Sequence, residues 1–199
     1  MNTIRNITVL LIVLTTLTRC DVFNSVSGAY NLSQSEYKYH SLSNIQLAGI
    51  NLGNSENISL SNLAAISTVL AGSGTKQTIP FNMNLNMDVK NPNQKVAYLD
   101  ALDYAIALND MELVEGRLDS PIRIEPGETK TISIPVSVDL KLLMNRYSQD
   151  RVVGEMSSFL GITKNETTVG VKIWPRLTVG RTLLKVPAPI PVEFKFGGR

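Results

Sequence analysis

The sequence predicts a mainly β protein, an antiparallel sandwich with short helical inserts, and three observations carry that expectation. Apolar and polar residues alternate along residues 78–90. The same alternation recurs downstream in segments separated by turn-forming residues. Two stretches switch instead to helical spacing. A period of two puts one face of a strand in a core and the other in water, as in an antiparallel sheet. Strands of a parallel sheet, buried on both faces, read as continuous apolar runs.

The 199 residues suffice for one domain with its own core and are few for two. Of the 19 basic residues, Arg5 and Arg19 fall in a leader that holds no acid, so beyond residue 19 bases and acids balance. A neutral domain has no electrostatic footprint for nucleic acid and no polybasic attraction to anionic lipid. With a single cysteine no intrachain disulfide can form, so the fold rests on packing.

The elements follow in chain order. Residues 1–19 read as a signal peptide. Arg5 opens it, and the uncharged run Ile7–Thr18 is too short for a membrane span, which needs about 20 apolar residues. Leu17-Thr18-Arg19-Cys20 resembles the lipobox of bacterial lipoproteins. That resemblance implies cleavage before Cys20, acylation of its thiol and attachment to a membrane of the bacterial cell envelope, on its periplasmic or surface side. Two or more acyl chains make such an anchor stable, where one is marginal. Two other readings stay open: a soluble secreted chain, and an uncleaved membrane anchor. Residues 20–36, rich in Ser and Asn, read as a tether, and 37–199 as the folded domain.

Seven strands are expected in that domain. Two weaker ones fall around 42–52 and 111–118. Residues 78–90 alternate Ile79, Phe81, Met83, Leu85, Met87 and Val89 with Asn82, Asn84, Asn86 and Asp88. Tyr98, Leu102, Tyr104, Ile106 and Leu108 share one face of the next, with small residues or acids opposite. Ile132, Ile134, Val136 and Val138 mark another, and Val169, Val171, Ile173, Leu177 and Val179 a further one. The last, 186–196, carries Pro187, Pro189 and Pro191 on its outer face, which suits a sheet edge because proline donates no ladder hydrogen bond. Asn109-Asp110, Pro126-Gly127 and Gly180 supply turns. This spacing predicts a seven-stranded sandwich of immunoglobulin/fibronectin-III-like type. The inserts are helices over 57–70 and 139–160, the second capped by Asp139, stopped by Gly161 and divided near Gly154. Both are expected as lids over open ends of the sandwich.

Asn91-Pro92-Asn93 follows the 78–90 strand directly. Proline fixes its own φ and biases Asn91 to extended backbone, and Asn side chains bond nearby backbone, so the motif is expected to be a structural corner. It is followed by Leu102-Asp103-Tyr104, by Gly116, by the Pro126-Gly127-Glu128-Thr129 turn and by Ile134-Pro135-Val136. In this order the residues resemble the WHy domain, found in group 2 late embryogenesis abundant proteins and in plant hypersensitive-response proteins. The resemblance runs from about Leu42 to Val138. It implies a seven-stranded sandwich with a helix and a role in water stress and defence, by binding or protecting other molecules. It brings no catalytic residue with it. Bacterial lipoproteins with this domain exist, in keeping with Cys20.

The residues themselves offer little chemistry, and no enzyme activity, metal or cofactor is expected. His40 is the single histidine and lies in neither a GxSxG nor an HExxH context. Asp100, Asp103, Asp110, Glu112 and Glu115 lack the spacing of a calcium loop and read as a solvated sheet face. Gly72-Ser73-Gly74 has no Lys-Ser or Lys-Thr after it to make a phosphate loop. Trp174 falls on the outer face of its strand, where it is either a contact for a protein or small-molecule partner or covered by a helix. The functional expectation is an envelope-anchored, non-catalytic module that binds or protects. The alternative is a structural subunit of an envelope or transport assembly.

Overall fold

The computed structural model of the chain describes residues 26–54, 60–72, 77–179 and 181–196, so the leader and Cys20 lie outside the described residues. In chain order the described elements are α1 (26–33), β1 (Glu36–Leu47), β2 (Ile50–Gly53), α2 (Leu60–Ala71), β3 (Pro80–Lys90), β4 (Ala97–Leu99), β5 (Ala101–Leu108) and β6 (Met111–Leu118). They continue with β7 (Ile122–Ile124), β8 (Thr129–Asp139), α3 (Leu140–Tyr147), α4 (Gln149–Phe159), β9 (Thr167–Val179), β10 (Thr182–Lys185) and β11 (Ile190–Phe196).

The fold is mainly β, and its sheets are antiparallel. One sheet has the order β2-β1-β3-β8. A second has the order β10-β9-β5-β6, with β11 also paired to β9, and β4 and β7 form a small third. β3 runs through the middle of the first sheet, paired along its length with β8 and β1. Its residues Phe81, Met83, Leu85, Met87 and Val89 are fully or almost fully buried. The two large sheets face each other. On one side the Tyr39 ring of β1 meets Phe194 and Phe196 of β11. On the other, the Tyr104 hydroxyl of β5 donates to the Pro135 carbonyl of β8 at 2.5 Å. The buried side chains of both form one continuous core.

Eleven strands form among the described residues, against the seven expected. The four additional ones, β2, β4, β7 and β10, have only three or four residues each, too few for an alternation to register. The weak 42–52 segment is a hairpin: β1 turns into β2 through Ala48 and Gly49, both at positive φ, the geometry that matches strand twist. The 98–108 segment breaks at Asp100, whose carboxylate accepts the Tyr98 hydroxyl and the Thr178 N–H, both at 2.6 Å. β4 before it then pairs with β7, and β5 after it pairs with β6 and β9. In the last segment, strand pairing begins only at Ile190, past Pro187 and Pro189.

Composition assigns residues 20–36 to a tether, yet residues 26–33 are helix and Ala29, Asn31 and Leu32 are buried. The Asn31 amide donates to the Val96 carbonyl at 3.0 Å. A Cβ on Gly28 would stand 2.8 Å from that of Tyr98, so only glycine allows this approach. The polar look of the segment hides one apolar pair, Ala29 and Leu32, at helical spacing. The 139–160 region divides at Ser148 (φ 80°), not at Gly154, which lies inside α4. Asp139 caps α3 by accepting the Lys141 N–H at 2.9 Å, and also takes the Ile79 N–H at 2.8 Å, joining helix start to strand start. Gly161 (φ 74°) closes α4. Its N–H donates to Ser158 and that of Ile162 to Ser157, the paired bonds of a Schellman cap.

Candidate functional site

Asn91 is fully buried where β3 leaves its sheet. Its amide nitrogen donates to the carbonyls of Lys95 (2.9 Å) and Ile124 (3.0 Å). Its amide oxygen accepts the Asn93 N–H at 3.1 Å and the Asn93 side-chain amide at 2.9 Å. The Asn93 amide also donates to the Asn31 carbonyl at 3.0 Å, which pins α1. Pro92 is exposed between them and sets the extended geometry. The motif thus joins β3, the β4–β7 sheet and α1 from inside, and Asn91 faces no solvent through which a ligand could reach it.

Three other segments of the sequence pattern also converge. Tyr104 lies opposite Gly116 in the β5–β6 register, and a Cβ on Gly116 would overlap the end of the Tyr104 ring. The hydroxyl at the end of that ring reaches Pro135 of β8. Leu-x-Tyr, the glycine and Pro-Val therefore form one cross-tie between the sheets. These residues hold the fold from inside.

The outer face of the second sheet carries a groove of about 470 Å³. Its floor is Ala105 and Ala107 of β5 and Gly170 of β9, small residues set side by side by the register. Glu115 lies opposite Ala105 and Glu112 opposite Ala107 on one flank. Pro191 lies opposite Lys172, and Glu193 opposite Gly170, on the other. Asp110 and Tyr147 line one end and Trp174 the other. A Cβ added to Gly170 would meet nothing within 4 Å.

Trp174 is half-buried on this face. It is covered by Lys185 of β10, whose ammonium lies 4.4 Å from the ring centroid, and not by a helix. The same ammonium reaches Asp103 at 3.1 Å, and Asp103 takes two bonds from Arg176 at 2.7 and 2.9 Å. The Arg176 guanidinium, assisted by Lys185, holds the Asp103 carboxyl below its ordinary range against the opposing effect of burial. Burial pushes Asp100 up, but the Tyr98 hydroxyl and Thr178 N–H it accepts prevail and hold it low. The acidic group read from the sequence therefore divides. Asp100 and Asp103 are internal ties, while Asp110, Glu112 and Glu115 line the groove. Among the described residues no set of three or more His, Cys, Asp or Glu side chains is placed to hold a metal ion. His40 is exposed on β1, its Nδ1 2.9 Å from Asp88.

The groove escaped the sequence because its floor comes from residues 65 positions apart, Ala105 and Gly170. The small residues opposite the apolar face of 98–108, the acids of 110–115 and the outward Trp174 were its visible signals.

Facing antiparallel sheets, buried Asn91 and a Tyr104–Gly116 cross-tie define an antiparallel β domain held by a few interior polar ties. The chain belongs to the late embryogenesis abundant protein family, whose model matches residues 86–197. No curated protein matches the chain. Among solved structures, a protein from Archaeoglobus fulgidus is similar at 17% identity and TM-score 0.37, over 63% of this chain and 90% of that one. A protein from Arabidopsis thaliana is similar at 17% identity and TM-score 0.39, over 59% of this chain and 70% of that one. A putative late embryogenesis abundant protein is similar at 14% identity and TM-score 0.33, over 69% of this chain and 82% of that one.

Proposed function

We propose that this chain is a lipoprotein of the bacterial cell envelope whose domain, of the WHy, group 2 type, protects or binds other molecules under stress without catalysis. Family membership over residues 86–197 is the observation that carries the stress-related part of this reading. The anchor is supported by Cys20, the only cysteine, at the end of the apolar run Ile7–Thr18. Among the described residues no helix is long and apolar enough to cross a membrane. The facing antiparallel sheets support an immunoglobulin/fibronectin-III-like plan to which two short edge strands, β2 and β10, and the small β4–β7 sheet have been added. The balance of charge beyond residue 19 argues for a partner other than nucleic acid.

The test is genetic. A deletion strain is complemented with the wild type or with Cys20→Ser, and survival after drying is counted. The expected result is rescue by the wild type and loss of rescue by the unanchored variant. Equal survival of the deletion and wild-type strains would sink the protective reading.

A further inference from the structure

We propose that the groove on the outer face of β6, β5, β9 and β11 binds a linear aliphatic polyamine, its methylene chain along Ala105, Ala107 and Gly170 and its ammonium groups at Glu112, Glu115 and Glu193. This rests on the binding part of the function proposed above and names the ligand class.

Shape is the first argument. From Trp174 to Gly170 the floor follows four residue steps of β9, about 13 Å at strand rise. The floor has no side chain larger than a methyl at Ala105, Ala107 and Gly170, and the space above Gly170 is open. A groove of about 470 Å³ falls within the size range of small-molecule sites, roughly 300–1,000 Å³.

Charge is the second. Four carboxylates, Asp110, Glu112, Glu115 and Glu193, line the groove against one lining cation, Lys172. Glu112 is paired with Arg146 at 3.2 Å. Asp110, Glu115, Glu193 and Lys172 take part in none of the ion pairs among the described residues. In a domain whose total charge is balanced, this is a local excess of negative charge facing an apolar floor.

The arrangement also selects among cations. The carboxylates are dispersed along the groove and do not converge on one metal ion. Glu112 and Glu115 lie opposite Ala107 and Ala105, about 7 Å apart along β5, which suits nitrogens separated by three or four methylenes. A basic peptide is disfavoured for a different reason. β5 has a partner strand on both sides, so its N–H and C=O groups are taken by the sheet. A peptide lying over this face would desolvate its own backbone without gaining partners. A polyamine has no such groups, and its ammoniums gain charge-assisted hydrogen bonds.

Trp174, the only tryptophan, is a built-in reporter at one end of the groove. The full chain in detergent is titrated with spermine while its fluorescence is followed. Magnesium at matched ionic strength and a tetralysine peptide serve as comparisons. The expected result is a saturable change with spermine and none with magnesium. Glu115→Gln and Glu193→Gln each weaken binding about tenfold, Lys172→Met strengthens it, and Gly170→Leu removes it. Glu115 and Glu193 are exposed, so their variants carry the test even if Gly170→Leu fails to fold. No saturable response, an equal response to magnesium, tighter binding of tetralysine, or unchanged affinity in both Glu variants would each overturn the proposal. Acylation of Cys20 and survival after drying do not depend on these groove residues, so failure here is distinguishable from failure of the envelope reading.

Discussion

Replacing Asn91 with alanine tests the corner most sharply. The substitution removes two donated bonds, to Lys95 and Ile124, and two accepted bonds, from Asn93. The Ile124 carbonyl lies in buried surroundings, and leaving it without a donor costs about 1–3 kcal/mol. The other groups are only part-buried and can recruit water, so each loses about 0.5–1 kcal/mol. The sum is about 4 kcal/mol. With a urea slope of about 2 kcal/mol per M, the unfolding midpoint falls by about 2 M. For a domain of this size Tm falls by about 8–16 °C. Trp174 fluorescence in urea reads the transition, and an unchanged slope shows that stability alone has moved. Asn91→Asp is a stricter variant. It keeps the shape and the accepting oxygen but sets a buried carboxylate against two carbonyls, so it is more damaging at neutral pH and recovers on acidification as the carboxyl protonates. A loss below about 1 kcal/mol in Asn91→Ala would refute the reasoning, since it would mean that water replaces the amide freely.

Three further outcomes are expected. Gly116→Ala pushes the Tyr104 ring off Pro135 and costs about 2 kcal/mol, as overpacking does; combining it with Tyr104→Leu in urea unfolding relieves most of that cost, and strict additivity would contradict the clash. Ser148→Gly relieves a backbone conformation (φ 80°, ψ 152°) that suits glycine and gains about 1 kcal/mol in the same assay, whereas a loss would show that the serine is not held there. Asp88 is held below its ordinary range, first by the Thr131 hydroxyl that donates to it at 2.7 Å and then by His40. A depressed carboxyl stabilises the fold above its unfolded pKa, about 3.9, and that contribution disappears as pH falls through the folded value. Thr131→Val is therefore less stable than the wild type at pH 6, and urea midpoints of the two converge as the pH falls through the folded value of Asp88. A gap independent of pH would contradict this.

The parts of the fold legible in the sequence were those with long, regular patterns. The alternation along Pro80–Lys90 marks β3 because eleven residues in turn repeat the same alternation of faces. β7 and β10 offer three or four residues and no pattern, and exist because a neighbouring edge is available to pair with. The division at Ser148 was invisible because helical spacing continues across it, while Gly154 looked like the weaker point. Of the candidate site, Trp174 and the acids of 110–115 could be placed on an outer face from sequence. Their union with Gly170 and Glu193 depends on pairing between β5, β9 and β11, which no local rule specifies. The buried role of α1 was missed for a related reason. Its contacts with Val96, Tyr98 and Asn93 are more than sixty residues away and made mostly by polar or small groups.

The central claim, a family domain tethered to the cell envelope, is tested most directly by acylation of Cys20. Cells are fed a clickable fatty acid, and the wild type and Cys20→Ser are recovered and compared. The account predicts label on the wild type alone, with a mature chain that begins at residue 20. No label on either protein, or equal label on both, would contradict it and leave this stress-family domain without its proposed attachment to the membrane.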